Sequence, residues 1–175
     1  GDHPDLHSFP TRRSSDLPDL LRRKLAAFPK GLLVERFITG PEFSASFVGH
    51  PVLTMLAVSV IDYGRYPGLA PFLTYRSKWQ RESREFQDIQ PQVQPPDGQP
   101  WAQSIRDISR GIARVLGCRG YFRVDLREMA GALYVIDVNP NPDINTDSGF
   151  ANQARAAGYT YDDIIDLILK GADAL

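Results

Sequence analysis

The chain has 175 residues, 42% of them apolar and 23% charged, with a net charge of −1. That supports one hydrophobic core, offers no polybasic run for nucleic acid, and contains no apolar stretch near the roughly 20 residues of a membrane span. The one cysteine, Cys118, excludes an internal disulfide and a Cys-rich zinc site, and reads as a small buried hydrophobe after a helix pattern. A polar, Pro-rich start is not a signal peptide, so a cytoplasmic protein with no membrane or nucleic-acid partner is expected.

In chain order, His7–Leu17 matches one translated frame of a widely used sequencing-library adapter. Residues 1–17 are therefore expected to be an artefact fused to a truncated reading frame, and are set aside from fold reasoning. Asp19 to Phe28 reads as a short amphipathic helix, ended by Pro29-Lys30-Gly31. Leu32 to Ile38 reads as a strand, Thr39-Gly40-Pro41 as a turn, and Glu42 to Val48 and Val52 to Ile61 as two further antiparallel strands. Asp62 to Pro100 is rich in Pro, Gln and charge, and is expected to be a long functional or mobile loop. Trp101 to Leu116 carries Ile105, Ile108, Ile112 and Val115 at helical spacing. Helices are expected over Phe150–Ala157 and Tyr161–Ala172, the second N-capped by Thr160.

Between these helices lie two strands, Tyr121–Arg127 and Leu133–Asn139, joined by a Gly-containing hairpin connection. Side chains alternate along a strand, so Arg123 shares a face with Asp125, and Asp137 with Asn139. Phe122, Val124 and Leu126 back the first pair, and Tyr134, Ile136 and Val138 are expected to back the second. A guanidinium, two carboxylates and an amide oxygen on one face suit a hard cation with phosphates. Alternation alone also fits a solvated outer sheet face.

Three pieces in order, Leu33–Phe43, Gly120–Asp125 and Val138–Pro142, with Gly158–Tyr161 after them, resemble the C-terminal half of ATP-grasp ligases, most closely the D-alanine–D-alanine ligase group. The resemblance implies an α+β fold, the C-terminal part of an ATP-grasp fold, with an antiparallel sheet flanked by helices. Residues 18–31 would be a remnant of the preceding subdomain and 32–175 the C-terminal domain. It implies an ATP-dependent carboxylate–amine ligase working through an acyl phosphate, with ATP and Mg²⁺ (or Mn²⁺). D-alanine or another amino acid would be the substrate, and a homodimer is one option. The family's Gly-rich phosphate-covering loop and strand lysine have no counterpart in this sequence, so the chain alone is expected to be inactive.

By resemblance, Glu35 and Glu42 serve the ribose or stand beside the adenine, Phe37 and Ile38 flank the base, and Lys78 reaches the phosphates. Arg123 steadies the reacting centre, Asp125, Asp137 and Asn139 hold metal, and Ser148 meets the second substrate. Spacing alone also allows edge charges for Glu35 and Glu42, core for Phe37 and Ile38, solvation for Lys78, and an N-cap for Ser148. Trp79, Asp137 and Asp143 depart from the family's usual Tyr, Glu and Gly. A different acceptor, or a non-catalytic nucleotide-binding module, remain alternatives.

Overall fold

The computed structural model describes residues 16–173. The expected artefact over 1–17 thus falls, but for its last two residues, outside the described residues. Leu17 already opens helix α1 (Leu17–Ala27), with Pro18 in the first turn, where its missing N–H costs nothing. No α1 residue is buried.

The strand expected over Leu32–Ile38 does not form; residues 31–39 have no regular structure. A strand needs a neighbour to take up its N–H and C=O groups. The sheet runs β3 (Gln92–Gln94), β2 (Thr54–Ile61), β1 (Glu42–Val48), β4 (Tyr121–Met129), β5 (Ala132–Asn139), and none of these pairs with the segment. Leu33 is 83% exposed, and within the expected strand only Ile38 is buried.

The five strands are antiparallel. Phe43, Ala45 and Phe47 of β1 and Phe122, Val124 and Leu126 of β4 point to one face. There they pack against α4 (Ala102–Leu116) through Ile105 and Ala113. Phe47 and Phe122 stack with centroids 5.1 Å apart. Fully burying a side chain such as Ile105 contributes about 1.5–3 kcal/mol. Helix α4 ends at Gly117, whose φ of 67° is left-handed, letting Cys118 N–H reach the Ala113 carbonyl at 2.9 Å. The opposite sheet face carries α5 (Gly149–Ala156) and α6 (Tyr161–Asp173), with Phe150, Ala154 and Ile164 against Val48 and Leu56. Thr160 caps α6 as expected: Asp163 N–H donates to Thr160 Oγ1 (3.2 Å), and Thr160 N–H donates back to Asp163 Oδ2 (2.8 Å). The Thr160 hydroxyl, donating to Asp163 Oδ2 at 2.6 Å, and the Thr160 N–H together hold the Asp163 carboxyl below its usual range.

The 62–100 stretch is more ordered than its composition implies. It holds a 3₁₀ turn (Tyr63–Arg65), α2 (Tyr75–Trp79), α3 (Arg84–Asp88) and β3. Thr74 and Ser83 hydroxyls cap the two helices. Elements of three to five residues are too short for periodicity to reveal. No helix among the described residues is long and apolar enough to cross a membrane.

Candidate functional site

Register builds the site on the α5 side of the sheet. Across β1, β4 and β5, Ser46, Arg123 and Asn139 stand side by side, followed by Ser44, Asp125 and Asp137. Directly paired residues project to the same face, so Asp125, Asp137 and Asn139 share one face of the sheet. One expectation about the backing residues is corrected. Val138 pairs with Val124, but the ladder slips next to Asp125, so Leu126 pairs with Val135 and Arg127 with Tyr134. A bulge at Ile136 thus turns Tyr134 onto the site face. Sequence alternation cannot register an inserted residue.

A third row, Glu42–Arg127–Tyr134, completes the face. The Arg123 fork grips Asp125 with Nε–Oδ1 and Nη2–Oδ2 both at 2.8 Å. A carboxylate has about four lone-pair positions, so this bidentate pair leaves roughly two for another partner. Asn139 Oδ1 accepts from Asn141 N–H at 2.9 Å, and Tyr121 donates to Asn141 Oδ1, fixing the strand's exit. Like charges directly opposite destabilise a sheet. Asp137 faces Asp125 this way, and Arg123 neutralises only the latter.

That donor chemistry fits a hard cation: two carboxylates and an amide oxygen. Among the described residues no three His, Cys, Asp or Glu side chains gather into a metal cluster. A cation here would take Asp125, Asp137 and Asn139 and complete its shell with phosphate or water oxygens, as Mg²⁺ commonly does.

Glu42 lies at the end of the same face. Burial raises its carboxyl above the usual range, opposed by a hydrogen bond from Tyr63 and the charges of Arg127 and Lys78, with Asp125 adding to the rise. Tyr63 OH donates to Glu42 Oε2 at 2.8 Å. Burial and the Glu42 charge push the Tyr63 phenol far up, so the proton stays on Tyr63. Phe37 packs edge-on to Phe72 (6.2 Å), and Ile38 is buried beside this group in sequence. Lys78 is exposed on α2, near enough to act on the Glu42 charge.

Two expected site residues are placed differently. Glu35 is solvent-exposed in the unpaired segment and joins neither group. Ser148 Oγ accepts from Ala151 N–H at 3.1 Å, so its hydroxyl caps α5. Asp143 is exposed and its carboxylate accepts from Asn145 N–H (2.9 Å). Two residues escaped sequence reasoning. Arg127 is legible from the same alternation that places Arg123 and Asp125. Tyr63, in a three-residue turn, has no such signal.

The family model "D-ala D-ala ligase C-terminus" matches residues 12–170. The chain belongs to that family. The match begins inside the adapter-like segment. A D-alanine–D-alanine ligase of Carboxydothermus hydrogenoformans is 31% identical over 158 residues, covering 88% of this chain and 46% of the relative. The uncharacterized protein y4sG of Sinorhizobium fredii is 29% identical over 165 residues, covering 90% and 46%. The chain therefore spans about half the length of the curated relatives it matches. The crystal structure of Bacillus anthracis D-alanine–D-alanine ligase complexed with ATP superposes with a TM-score of 0.65 at 21% identity, over 90% of this chain and 46% of that one. This likeness establishes the fold: the sheet and its helices are the C-terminal portion of a D-alanine–D-alanine ligase-type ATP-grasp fold.

Proposed function

We propose that this chain is the metal- and phosphate-facing half of an ATP-dependent ligase that activates a carboxylate as an acyl phosphate and joins it to an amine. The single observation behind this reading is the row geometry, which sets Arg123, Asp125, Asp137 and Asn139 on one face with Glu42 at its end. Asp125, Asp137 and Asn139 would hold Mg²⁺ or Mn²⁺. Bound there, the ion would neutralise phosphate charge and polarise phosphoryl oxygens. Arg123 is placed to offset negative charge growing on a reacting oxygen. Glu42 would accept from ribose hydroxyls, Phe37 and Ile38 would flank the base, and Lys78 would face the phosphates. For Glu35 and Ser148 the resemblance alone supports ribose and substrate roles.

The amino acid is D-alanine or a close analogue in the leading reading. A different acceptor is favoured by two departures. Trp79, 70% exposed, stands where the resembling ligases usually have tyrosine, and an indole cannot accept a hydrogen bond. Asp143 puts a carboxylate in the loop after Asn139, where an oxyanion would be opposed.

Titrating the chain with ATP, with and without Mg²⁺, tests the reading. Binding should need the metal, and Asp137→Ala should weaken it about tenfold or more, as for loss of a metal-site partner. Metal-independent binding unaffected by Asp125→Ala and Asp137→Ala would sink it. Coupled ADP release with D-alanine should stay at background for this chain, which spans about half the length of its curated relatives, because a ligase must enclose the phosphates and exclude water. Robust turnover would overturn the half-site reading.

A further inference from the structure

Arg127 is 3% exposed, yet it lies outside the Arg123–Asp125 pair. Its guanidinium carbon sits 5.1 Å from the Phe37 ring centroid and 4.8 Å from that of Tyr63. Nη2 donates to the Pro71 carbonyl at 2.7 Å. Nε is buried without a hydrogen-bond partner, 3.9 Å from Glu42 Oε2. A single side chain on β4 thus meets three separate pieces: the unpaired segment through Phe37, the 62–100 excursion through both Tyr63 and Pro71, and β1 through Glu42.

The excursion hangs from this anchor. Only Phe72, Leu73 and Thr74 separate Pro71 from α2, which carries Lys78. Helix α2 is tied to α3 by Ser83 Oγ donating to the Arg76 carbonyl (3.1 Å) and by Arg76 Nε to Glu85 at 3.3 Å. The two helices are joined, so a shift at Pro71 carries to both. A buried guanidinium is costly unless its surroundings compensate, and here two ring faces, a carbonyl and a carboxylate do so. Arginine's flat fork can stack on rings and donate sideways at once; lysine's point charge cannot.

We propose that Arg127 is a positioning residue that pins the root of the 62–100 excursion to the sheet and so sets where Lys78 stands relative to a nucleotide held at Glu42. The second half rests on the nucleotide reading above; the first half does not.

Limited trypsinolysis of Arg127→Met and Arg127→Lys tests the pin without nucleotide. Cleavage after Arg76, Lys78 and Arg81 should quicken about tenfold in both, as expected for losing a hydrogen bond from a charged donor, while cleavage after Arg114 and Arg119 keeps its rate. Arg127→Lys keeps the charge and guards against a misfolded methionine variant. Equal rates at all sites, or a uniform rise everywhere, overturn the pin. The link to Lys78 is read from Mg-ATP affinity. Arg127→Lys should lower it about tenfold in the unsubstituted chain, the same lost interaction, and not at all beside Lys78→Ala. An equal loss in both backgrounds refutes positioning through Lys78. If the unsubstituted chain binds no Mg-ATP, the proposed function and the Lys78 link both fall, and the cleavage rates still decide the pin.

Discussion

Replacing Gln153 by leucine should destabilise the protein far more than a near-isosteric change inside a core usually does. Gln153 is 1% exposed on α5. The β1–β2 ladder is irregular between Ala45 and Phe47, and the Gln153 amide fills the gap. Ser46 N–H donates to its Oε1 (3.0 Å), and its Nε2 donates to the Ser44 carbonyl (2.9 Å) and to Ser59 Oγ (2.8 Å). Leucine leaves a buried N–H and a carbonyl each short of a partner, at about 1–3 kcal/mol apiece. The Ser59 hydroxyl can rotate, and leucine's better apolar transfer returns part of the loss. The net expectation is about 2–4 kcal/mol. With a urea slope of about 2 kcal/mol/M, the midpoint should fall by about 1–2 M. Gln153→Glu should be worse at neutral pH, because it sets a carboxylate oxygen against the Ser44 carbonyl, and should recover as acid protonates it. A leucine midpoint within about 0.3 M of the unsubstituted protein would mean that water or β2 satisfies these groups instead, and the reasoning fails.

Ala130 is the first residue of the two-residue β4–β5 turn, with φ at 54° before Gly131 at 78°. Ala130→Asn should raise stability by about 1 kcal/mol, since this turn favours Asn-Gly and a left-handed alanine is strained; no gain in the thermal midpoint refutes it. A Cβ on Gly40 would meet the Glu128 carbonyl oxygen at 1.9 Å, so Gly40→Ala should disrupt the β1–β4 end, and unchanged urea unfolding would contradict that contact. Burial raises the Glu42 carboxyl above its ordinary 4.5, so the folded state holds that proton more tightly than the unfolded chain. Its contribution is full below that value and is lost as pH rises through the folded pKa, so Glu42→Gln should gain on the unsubstituted protein over that range. A stability gap flat from about pH 4 to pH 8 excludes it.

Legibility in the sequence tracked element length and period. The hairpin, α4 and α6 carry sustained alternation or helical spacing and form where expected. Leu32–Ile38 has the composition of a strand, but composition cannot supply a pairing neighbour, and none of the five strands pairs with it. β3 failed for the opposite reason: three residues, Gln92–Gln94, become a strand only because β2 offers a free edge. At the site, the Arg123, Asp125, Asp137 and Asn139 face was readable because period two survives in both strands over that span. Tyr134 was lost at the bulge. The Glu42–Tyr63 bond joins residues 21 apart through a short turn that no pattern announces.

The sheet's own register explains why these charges do not simply repel. Each row of the site face has a different electrostatic solution. In the outer row, Arg127 stands between the Glu42 carboxylate on one side and Tyr134 on the other, buried under two rings. In the Ser46 row, Arg123 has neutral neighbours on both sides and turns along its own strand to grip Asp125. The middle row is left with Ser44, a neutralised Asp125 and Asp137, for which no ion pair is found among the described residues. Negative charge is therefore concentrated on β5, an edge strand beside open solvent, and not in the centre of the sheet. A carboxylate at such an edge keeps its hydration at little cost. It can also exchange its water for a cation without breaking an existing pair. Under the proposed function, Asp137, and not the more buried Asp125, would be the residue that admits the metal.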